Sequence, residues 1–403
     1  MHILMISDVY FPRVNGVSTS IKTFRDKLRN QGHRVTLIVP DYPSQKYEDD
    51  KDIIRIESKT VMFDPEDRLM SKSKIKSLMH KLSLKNVEII HIHTPFVAHY
   101  SGVWMSKALN IPCVESYHTF FEEYLYHYIH FLPRSWLKGI ARKFSRSQCN
   151  SVDSLIVPSN AMVNVLKDYG VTARTEIIPT GINPEEFSVG EGNKFRTQQA
   201  IDKDRPIMLY LGRVAHEKNI DFLIKVLAEV KKKVDNVLMV IAGDGPAVNS
   251  LKELVNELNL NDNTKFIGYL SREHDLPDCY SAANVFVFAS RTETQGLVLL
   301  EAMASGTCVV STAVMGTKDV LKDNEGALIA QENVPDFSEK VVELLEHSDA
   351  AWLLAQNGRL YASKWSVSKL TNQLFTLYEE LVEKNDELLL SASIQDINVE
   401  TNN

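Results

Sequence analysis

The chain has few cysteines and no long apolar run, and both scarcities narrow what it can be. Its four cysteines are scattered over 403 residues without a Cys-x-x-Cys pair, so neither a disulfide framework nor a zinc site is expected. No apolar stretch approaches the roughly 18 residues that span a bilayer. The apolar start, Met1–Ser7, is too short for a signal peptide and is followed at once by Asp8. We therefore expect a protein of the reducing cytoplasm.

The sequence also lacks a cluster of metal-ligating residues. Asp50 and Asp52 form an Asp-x-Asp pair, but they belong to the acidic segment YEDDKD, which is typical of solvated charge on a loop. We therefore expect no metal ion and no other cofactor.

Size and charge indicate two domains of different character. A chain of 403 residues with 44% hydrophobic residues is long enough for two buried cores. The net charge of −7 divides into +6 for residues 1–181 and −13 for residues 182–403. A basic half in an acidic protein favours an anionic partner for that half, either lipid headgroups or an acidic soluble molecule.

Short apolar runs alternate with helical or loop stretches in both halves. The first half contains MHILMIS, HRVTLIVP, VEIIHIHT, PCVESYH, DSLIVPS and TEIIPTG, and the second contains PIMLYLG, NVLMVIAG, TKFIGYL, NVFVFAS and TCVVST. This alternation predicts, twice, a parallel sheet with helices on both faces. The boundary falls in PTGINPEEF, which predicts domains over 1–181 and 182–363. A helix is expected over about 364–384, followed by a flexible tail over 385–403, which is rich in Ser, Asp and Asn.

Two glutamates, Glu293 and Glu301, are separated by seven residues in SRTETQGLVLLEAMASG. The preceding run predicts a buried strand over Asn284–Ser290, and the following run predicts a helix over Leu297–Gly306. Glu293 then lies on the turn, and Glu301 lies just over one helical turn inside. The backbone N–H groups at this helix start favour an anion such as a diphosphate; they belong to Thr294, Gln295, Gly296 and Leu297. Taken alone, such a pair is more often ordinary surface charge.

Upstream, PIMLYLGRVAHEKNIDFLI predicts a buried strand over Ile207–Leu211 that turns at Gly212. Arg213 and Lys218 follow before an amphipathic helix. Two cations at the carboxyl end of one strand, with a helix start at the end of another, make a site for phosphate oxygens. The GDGP segment after the next strand is more typical of a tight turn.

The motifs GRVAHEKN, GDGP and FIGYL, together with the Glu-x7-Glu block, resemble the retaining glycosyltransferases of family 4. The resemblance runs from Met1 to about Lys384. It implies an α/β protein with the GT-B fold, in which two facing Rossmann-like domains with parallel sheets enclose an interdomain cleft. Residues 1–181 would bind the acceptor and residues 182–363 the nucleotide sugar, while the helix over 364–384 would pack back on the first domain.

The resemblance also implies roles for individual residues. Arg213 and Lys218 would bind the donor diphosphate, Glu301 the ribose hydroxyls, and Glu293 the hydroxyls of the donor sugar. Gly16, in the loop PRVNGVSTSI after the first strand, would let the backbone approach the donor phosphate. The remaining positions are Gly268, Tyr269 and Leu270, beside the nucleotide base, and His118, near the reacting carbon.

The family is thought to react on one face of the sugar, with the leaving phosphate helping to take the acceptor proton. Glu293 and His118 are therefore expected to act as positioning and electrostatic groups in catalysis, without a protein base. Arg213, Lys218 and helix dipoles would take the place of a divalent ion, so transfer is expected to be independent of metal.

Residues 117–146 predict where the acceptor binds. An aromatic stretch that includes Phe120, Phe121 and Tyr124 precedes a segment rich in basic residues. On a helix its cations occupy one half, namely Arg134, Lys138, Arg142, Lys143 and Arg146; the other half holds Trp136, Leu137, Ile140, Ala141 and Phe144. This pattern is typical of an interfacial helix on anionic lipid. A helix packed on its own sheet with a basic outer face remains open, and a second basic tract runs from Arg68 to Lys85.

The run HTFFEEYLYHYI and the form TETQG look most like the branch that glycosylates diacylglycerol from UDP-glucose. We expect a hexosyltransferase of glycolipid biosynthesis, peripheral on the inner face of the membrane, with a nucleotide sugar and a lipid as partners and no nucleic acid. Three alternatives remain: a soluble or polysaccharide acceptor, a mannosyltransferase acting on phosphatidylinositol or another glycolipid, and a sugar-nucleotide epimerase. The oligomeric state stays open.

Overall fold

The structure, a computed structural model, describes residues 1–13, 15–43, 50–61, 64–83, 86–118, 134–271 and 275–400. The chain divides into two compact units, Met1–Gly181 with Val367–Asn403, and Ile182–Ser366. Within the described ranges, no helix combines the length and apolar character needed to cross a membrane.

The first unit is built on a parallel sheet. Its strands are β1 (His2–Ile6), β2 (Arg34–Pro40), β3 (Ile53–Ile56), β4 (Ser58–Val61), β5 (Asp64–Met70), β6 (Ile89–Ile92), β7 (Cys113–Ser116), β8 (Ser154–Val157) and β9 (Arg174–Ile177). Seven of these pair in the order β3-β2-β1-β6-β7-β8-β9, and β4 pairs with β5. The central strands β1 and β6 are buried throughout, as a sheet covered on both faces requires.

Five helices in the described part of the unit connect these strands. They are α1 (Gly16–Asn30), α2 (Lys72–Ser83), α3 (Val97–Leu109), α4 (Arg134–Cys149) and α5 (Asn160–Asp168). Helix α3 shows how a side chain from a strand end can stabilise a helix start. The carboxylate of Asp8, which follows β1, accepts from the backbone N–H of Ala98 at 3.1 Å and from the hydroxyl of Thr94 at 2.9 Å. Asp8 thereby caps a helix whose own N-cap residue makes no side-chain hydrogen bond.

The second unit repeats the architecture. Its parallel sheet has the order β12-β11-β10-β13-β14-β15, where the strands are β10 (Ile207–Leu211), β11 (Leu238–Ala242), β12 (Thr264–Gly268), β13 (Val285–Phe288), β14 (Cys308–Ser311) and β15 (Ala327–Ile329). The helices are α6 (Pro184–Ser188), α7 (Gly192–Gln198), α8 (Ile220–Val230), α9 (Val248–Glu257), α10 (Asp275–Ala282), α11 (Leu297–Ser305), α12 (Thr317–Val320), α13 (Val334–Glu346) and α14 (Ser348–Ser363). Two parallel α/β sheets confirm the predicted fold class.

Each apolar run identified in the sequence overlaps a strand of one of the two sheets. Four strands were not predicted: β3 and β15, which lie at sheet edges, and the pair β4 and β5. Strand β15 has only three residues. Strand β3 includes Arg55 and is mostly only partly buried, so neither strand gives a clear apolar run.

The last helix, α15 (Val367–Glu400), returns to the first unit. One face, at Leu370, Leu374, Leu377, Tyr378 and Leu381, is part of the core of that unit, and this spacing is that of one helical stripe. The helix differs from the predicted 364–384 at both ends. Lys364 caps α14, and no proline or glycine interrupts the chain between 367 and 400, so the helix continues through most of the expected tail. Residues 401–403 lie outside the described part.

The expectation of solvated charge at Asp50 and Asp52 was wrong. Asp50 accepts hydrogen bonds from Arg25 at 2.6 Å and from Arg29 at 2.6 Å. Burial alone raises the pKa of Asp50. Arg25, the backbone N–H of Asp52 and Arg29 lower it by more, so the pKa of Asp50 lies below its usual value. Asp52 is 7% exposed and pairs with Arg34 at 3.1 Å. These carboxylates join the first helix and second strand to the sheet edge.

Candidate active site

The second unit brings the two predicted donor motifs to one edge of its sheet. Strands β10 and β13 are parallel neighbours, so the loops that leave their carboxyl ends start side by side. One loop, residues 212–219, carries Arg213 and Lys218. The other, residues 289–296, carries Glu293 and leads into α11, which begins at Leu297 and ends before Gly306, as predicted.

Lys218 and Glu293 form an ion pair. The Nζ atom of Lys218 lies 2.8 Å from Oε2 of Glu293, and the two side chains are 20% and 21% exposed. Burial by itself raises the pKa of Glu293, but the charge of Lys218 and hydrogen bonds from the backbone N–H groups of Gln295 and Gly296 lower it below its usual value. Glu293 is therefore an ionised carboxylate held at the helix start.

The loop that carries Arg213 is shaped by two glycines that follow the neighbouring strand β11. Gly243 and Gly245 have φ values of +128° and +155°, and a Cβ atom at Gly243 would lie 1.9 Å from the carbonyl oxygen of Gly212. A Cβ at Gly245 would lie 2.4 Å from the carbonyl oxygen of Val214. The backbone N–H of Val214 donates to the carbonyl of Asp244 at 2.9 Å. This confirms the tight turn predicted for GDGP and gives it a role, which is to support the loop after β10.

The turn that carries Glu293 rests on a glycine that sequence reasoning missed. A Cβ atom at Gly316 would lie 1.8 Å from the carbonyl oxygen of Thr294, and the N–H of Gly316 donates to the carbonyl of Glu293 at 2.9 Å. Gly296, the N-cap of α11, has φ +94°, a conformation that favours glycine. The signal for Gly316 in the sequence is a glycine shortly after the strand TCVVST, where a sheet-edge turn is expected.

Asn219 is a second residue that sequence reasoning missed. It lies directly after Lys218, has φ +58° and is 5% exposed. Its Nδ2 atom donates to the carbonyl oxygen of Ala289 at 3.2 Å and to Oε1 of Glu332 at 3.3 Å. Because Ala289 follows β13, Asn219 connects the loop of Lys218 to the loop of Glu293. Asparagine suits this position because it tolerates the left-handed conformation and supplies a donor.

Glu301 lies one turn inside α11, as expected from its spacing. It is 1% exposed, and its Oε2 atom accepts a hydrogen bond from the hydroxyl of the fully buried Tyr280 at 2.9 Å. The hydroxyl fixes one carboxylate oxygen, so any ribose contact made by Glu301 would involve a carboxylate with a defined orientation.

The other predicted donor positions surround these loops. Arg213 is partly buried, and its carbonyl accepts from the hydroxyl of Tyr210 at 3.0 Å. Gly268 has φ +70°, and its carbonyl accepts from the N–H of Gly243 at 2.7 Å, so the end of β12 joins the same edge. Tyr269 is 62% exposed, and Leu270 is partly buried.

Two predicted donor or catalytic residues lie in the first unit. Gly16 begins α1, whose N-cap, Asn15, accepts from the N–H of Ser18 at 2.9 Å. Among the described residues, a Cβ at Gly16 would meet no heavy atom within 4 Å, so the fold itself does not require glycine there. His118 follows β7, and burial lowers its pKa to about 4. Its ring is therefore neutral at neutral pH.

Helix α4 exposes both basic and large apolar side chains. Arg142, Lys143 and Arg146 are exposed and Lys138 is partly buried, while Trp136 is 68% and Ile140 is 55% exposed. The inward side holds small residues, with Ala141 at 0% and Ser145 at 1% exposure. The helix thus packs through small residues and presents an aromatic and an aliphatic side chain to solvent. Phe120, Phe121 and Tyr124 lie outside the described residues, as does the side chain of Arg134, the residue that begins α4.

Comparison with known proteins identifies the family to which the chain belongs. Residues 192–361 match the family of glycosyl transferases group 1, and residues 14–186 match glycosyltransferase family 4. The alpha-monoglucosyldiacylglycerol synthase of Streptococcus pneumoniae is 34% identical over 354 residues, which cover 86% of this chain and 78% of that protein. The synthase of the same name from Acholeplasma laidlawii is 25% identical over 96% of this chain and 99% of its own length.

Among solved structures, the sucrose-phosphate synthase of Thermosynechococcus elongatus superimposes with a TM-score of 0.76 at 22% identity, over 95% of this chain and 99% of that one. This likeness concerns the fold, which is GT-B in both. With motifs, fold and relatives in agreement, the chain belongs to the family 4 glycosyltransferases of GT-B fold and is a glycosyltransferase.

Proposed function

We propose that this protein is a retaining, metal-independent glucosyltransferase that moves glucose from UDP-glucose to the hydroxyl of diacylglycerol at the cytoplasmic face of a membrane. The observation that carries the proposal is the Lys218–Glu293 pair at the start of α11, in a chain related to glucosyldiacylglycerol synthases. The cation that would bind phosphate and the carboxylate that would bind sugar hydroxyls are hydrogen-bonded to each other.

The donor half of the mechanism follows from these charges. Lys218, Arg213 and the N–H groups of Thr294, Gln295, Gly296 and Leu297 hold the diphosphate and stabilise the charge that builds on it as it leaves. Glu293 accepts hydrogen bonds from hydroxyls of the donor sugar, and Glu301 accepts from the ribose. Because Lys218 bridges the phosphate and Glu293, it fixes the sugar relative to its leaving group. No bound metal is needed in this arrangement.

The transfer step needs no nucleophile from the protein. The bond between the anomeric carbon and the phosphate oxygen breaks, and the acceptor oxygen forms its bond on the same face of the sugar. The proton of the acceptor hydroxyl passes to the leaving diphosphate. Glu293 and His118 orient the sugar, His118 as a neutral ring.

The first unit offers surfaces suited to a lipid acceptor. On α4 the exposed Trp136 and Ile140 accompany exposed cations, the combination expected of an interfacial helix. At the start of α3, the N-cap residue Phe96 and the helical residue Tyr100 are 41% and 51% exposed. The Nζ atom of Lys72 on α2 lies 5.2 Å from the ring centre of Tyr100. These exposed rings beside lysines favour attachment to anionic lipid over internal packing.

The proposal is tested by mass spectrometry of the products. Purified protein is incubated, with EDTA present, with UDP-glucose, UDP-galactose or GDP-mannose and vesicles that contain diacylglycerol or phosphatidylinositol. We expect a monoglucosyl diacylglycerol from UDP-glucose only, with the α-anomer identified by NMR. A mannosylated phosphatidylinositol, a product of the wrong anomer, or loss of activity with EDTA would contradict the corresponding part of the proposal. An epimerised sugar nucleotide without acceptor would contradict it as a whole.

A further inference from the structure

A second histidine, His93, lies beside His118 in the first unit. His93 directly follows β6, and His118 follows β7 after one intervening residue. These strands are parallel neighbours, so their carboxyl ends meet. The Nδ1 atom of His93 lies 3.4 Å from Nε2 of His118, and the ring planes differ by 15°. The two nitrogens lie within hydrogen-bond distance, and the two rings lie in nearly parallel planes.

His93 is held in place from behind by a third histidine. His91 lies 2.5 Å from the hydroxyl of Tyr378 through Nδ1 and 2.8 Å from the hydroxyl of Ser116 through Nε2. The ring centres of His91 and His93 are 3.9 Å apart. Since Tyr378 belongs to α15, this helix stabilises His91, whose ring contacts the ring of His93.

All three rings are neutral at neutral pH. Burial lowers the pKa of His91 and His93 well below the usual value, and the neighbouring histidines lower it further. Burial lowers the pKa of His118 to about 4. Each ring therefore carries one proton, and one of the two facing nitrogens must donate to the other.

The remaining nitrogen of His93 decides which one donates. His93 is 1% exposed, and its Nε2 atom has no hydrogen-bond partner among the described residues. If His118 donated, His93 would carry its own proton on Nε2, as a buried N–H without an acceptor. If His93 donates from Nδ1, its buried Nε2 atom carries only a lone pair and no proton. A buried donor without a partner is the rarer and costlier arrangement.

We propose that His93 is a positioning residue that donates its Nδ1–H to Nε2 of His118 and so fixes His118 as the tautomer protonated on Nδ1. His118 then carries its ring proton on Nδ1, and its Nε2 lone pair is occupied, so Nε2 does not serve as a base in the transfer step. The meaning of this for transfer depends on the proposed function, but the tautomer itself does not.

The tautomer is measured directly in the intact chain. Histidine labelled with ¹⁵N is incorporated, and long-range ¹H–¹⁵N correlation at pH 7.5 separates protonated from bare ring nitrogens, with assignment by His93→Asn and His118→Asn. We expect a bare Nε2 and a protonated Nδ1 in both His93 and His118. A protonated Nε2 in His118, or a cationic ring in either residue, would overturn the proposal, whatever the substrate proves to be.

Kinetics test whether the contact matters. His93→Asn keeps an amide donor near the position of Nδ1, whereas His93→Phe keeps the ring shape without a nitrogen. The control is His2→Phe, since His2 is 5% exposed at the amino end of β1 and bonds Thr36 at 2.9 Å. We expect His93→Phe to lower kcat about tenfold with the donor KM unchanged, which is the scale of one hydrogen bond.

The expected pattern requires all three variants. His93→Asn should recover most of the lost kcat, and His2→Phe should lower thermal stability without changing kcat. Equal kcat values in His93→Phe and His2→Phe would show that His93 has only a structural role. If the wild type transfers no sugar to lipid, the proposed function fails, and the ring-nitrogen spectrum still decides the tautomer.

Discussion

The two units carry their candidate functional groups in opposite electrostatic states. In the second unit, Lys218 and Glu293 form an ion pair, and Lys218 together with backbone N–H groups lowers the pKa of Glu293. In the first unit, burial lowers the pKa values of His93 and His118, so that both rings stay neutral. The difference fits the proposed tasks, because fixed charge suits a diphosphate and the sugar hydroxyls assigned to Glu293, whereas a neutral histidine can form hydrogen bonds without adding charge.

The largest expected effect breaks the charged side of this comparison. Lys218→Met and Glu293→Gln should each lower kcat/KM by about a hundred- to a thousandfold, because each removes a group that acts on the leaving phosphate or the sugar. Each single variant should also lose about 1–3 kcal/mol of unfolding free energy, since it leaves a largely buried partner unpaired.

The double variant separates the two roles. Lys218→Met combined with Glu293→Gln should lose less stability than the sum of the single losses, measured by urea unfolding, while remaining inactive. Near-wild-type activity in either single variant would remove the pair from the site.

The next effect compares a glycine in each unit. Gly316→Ala should lower activity about a hundredfold and reduce the melting temperature, because its Cβ would overlap the carbonyl of Thr294 and displace the turn of Glu293. Gly16→Ala meets no such neighbour among the described residues, so it should leave the melting temperature unchanged and raise the donor KM. If Gly16→Ala is fully active, Gly16 does not approach the donor phosphate.

A smaller effect is expected at the basic surface of the first unit. Arg142→Glu combined with Arg146→Glu should weaken binding to vesicles of anionic lipid at least about thirtyfold at low salt, since loss of each basic residue near such a surface costs about 1 kcal/mol and the new carboxylates add repulsion. Binding of UDP-glucose, followed by calorimetry, should not change. Lys231→Glu combined with Lys232→Glu, in the acidic second unit, provides the matched control. Equal vesicle affinity for both double variants would contradict an interfacial α4.

Asn219 allows a finer test of how the two loops of the second unit are joined. Asn219→Gly keeps the left-handed backbone but loses the bonds to Ala289 and Glu332; it should lower kcat about tenfold and the unfolding free energy by about 1–2 kcal/mol. Asn219→Ala should lose the same kcat and about 1 kcal/mol more of unfolding free energy than Asn219→Gly, from strain at φ +58°. Equal kcat for Asn219→Gly and wild type would show that these bonds do not position Lys218.

The free energy of unfolding should depend on pH in a different pH range for each of the two candidate groups, His118 in the first unit and Glu293 in the second. As pH falls from 6.5 toward 4, His118 becomes protonated in the unfolded chain but stays neutral in the folded chain, because burial lowers its pKa there to about 4. Stability is lost in that window at up to about 1.4 kcal/mol per pH unit. The lowered pKa of Glu293 acts only below its usual value of 4.5.

The measurement is the free energy of unfolding at pH 7.5, 6.0 and 5.0 for the wild type and His118→Gln. The wild type should lose more stability than the variant over this range. Parallel pH profiles would mean that residue 118 is not a buried neutral histidine.

Periodicity and strand endings were enough to predict both sheets apart from the edge strands β3 and β15, the start of α11 and the meeting of the loops of Lys218 and Glu293. They could not predict features that depend on distant backbone contacts. Gly316 matters through the carbonyl of Thr294, Asn219 through Ala289 and Glu332, and Asp50 through arginines on α1. None of these partners is near in sequence.

The pairing of His93 with His118 was also beyond the sequence, since it requires the order in which β6 and β7 lie in the sheet. The length of α15 was underestimated because polar composition was taken to indicate a tail. The absence of proline and glycine in that segment is the signal that favours a helix there.

The most direct test of the account is calorimetric titration of UDP-glucose into the wild type and Lys218→Met in buffer containing EDTA. We predict binding to the wild type without metal and a loss of at least tenfold in affinity in the variant, because the ammonium group contacts the diphosphate. No binding to the wild type, or equal affinity in both proteins, would contradict a donor site built on Lys218 and Glu293.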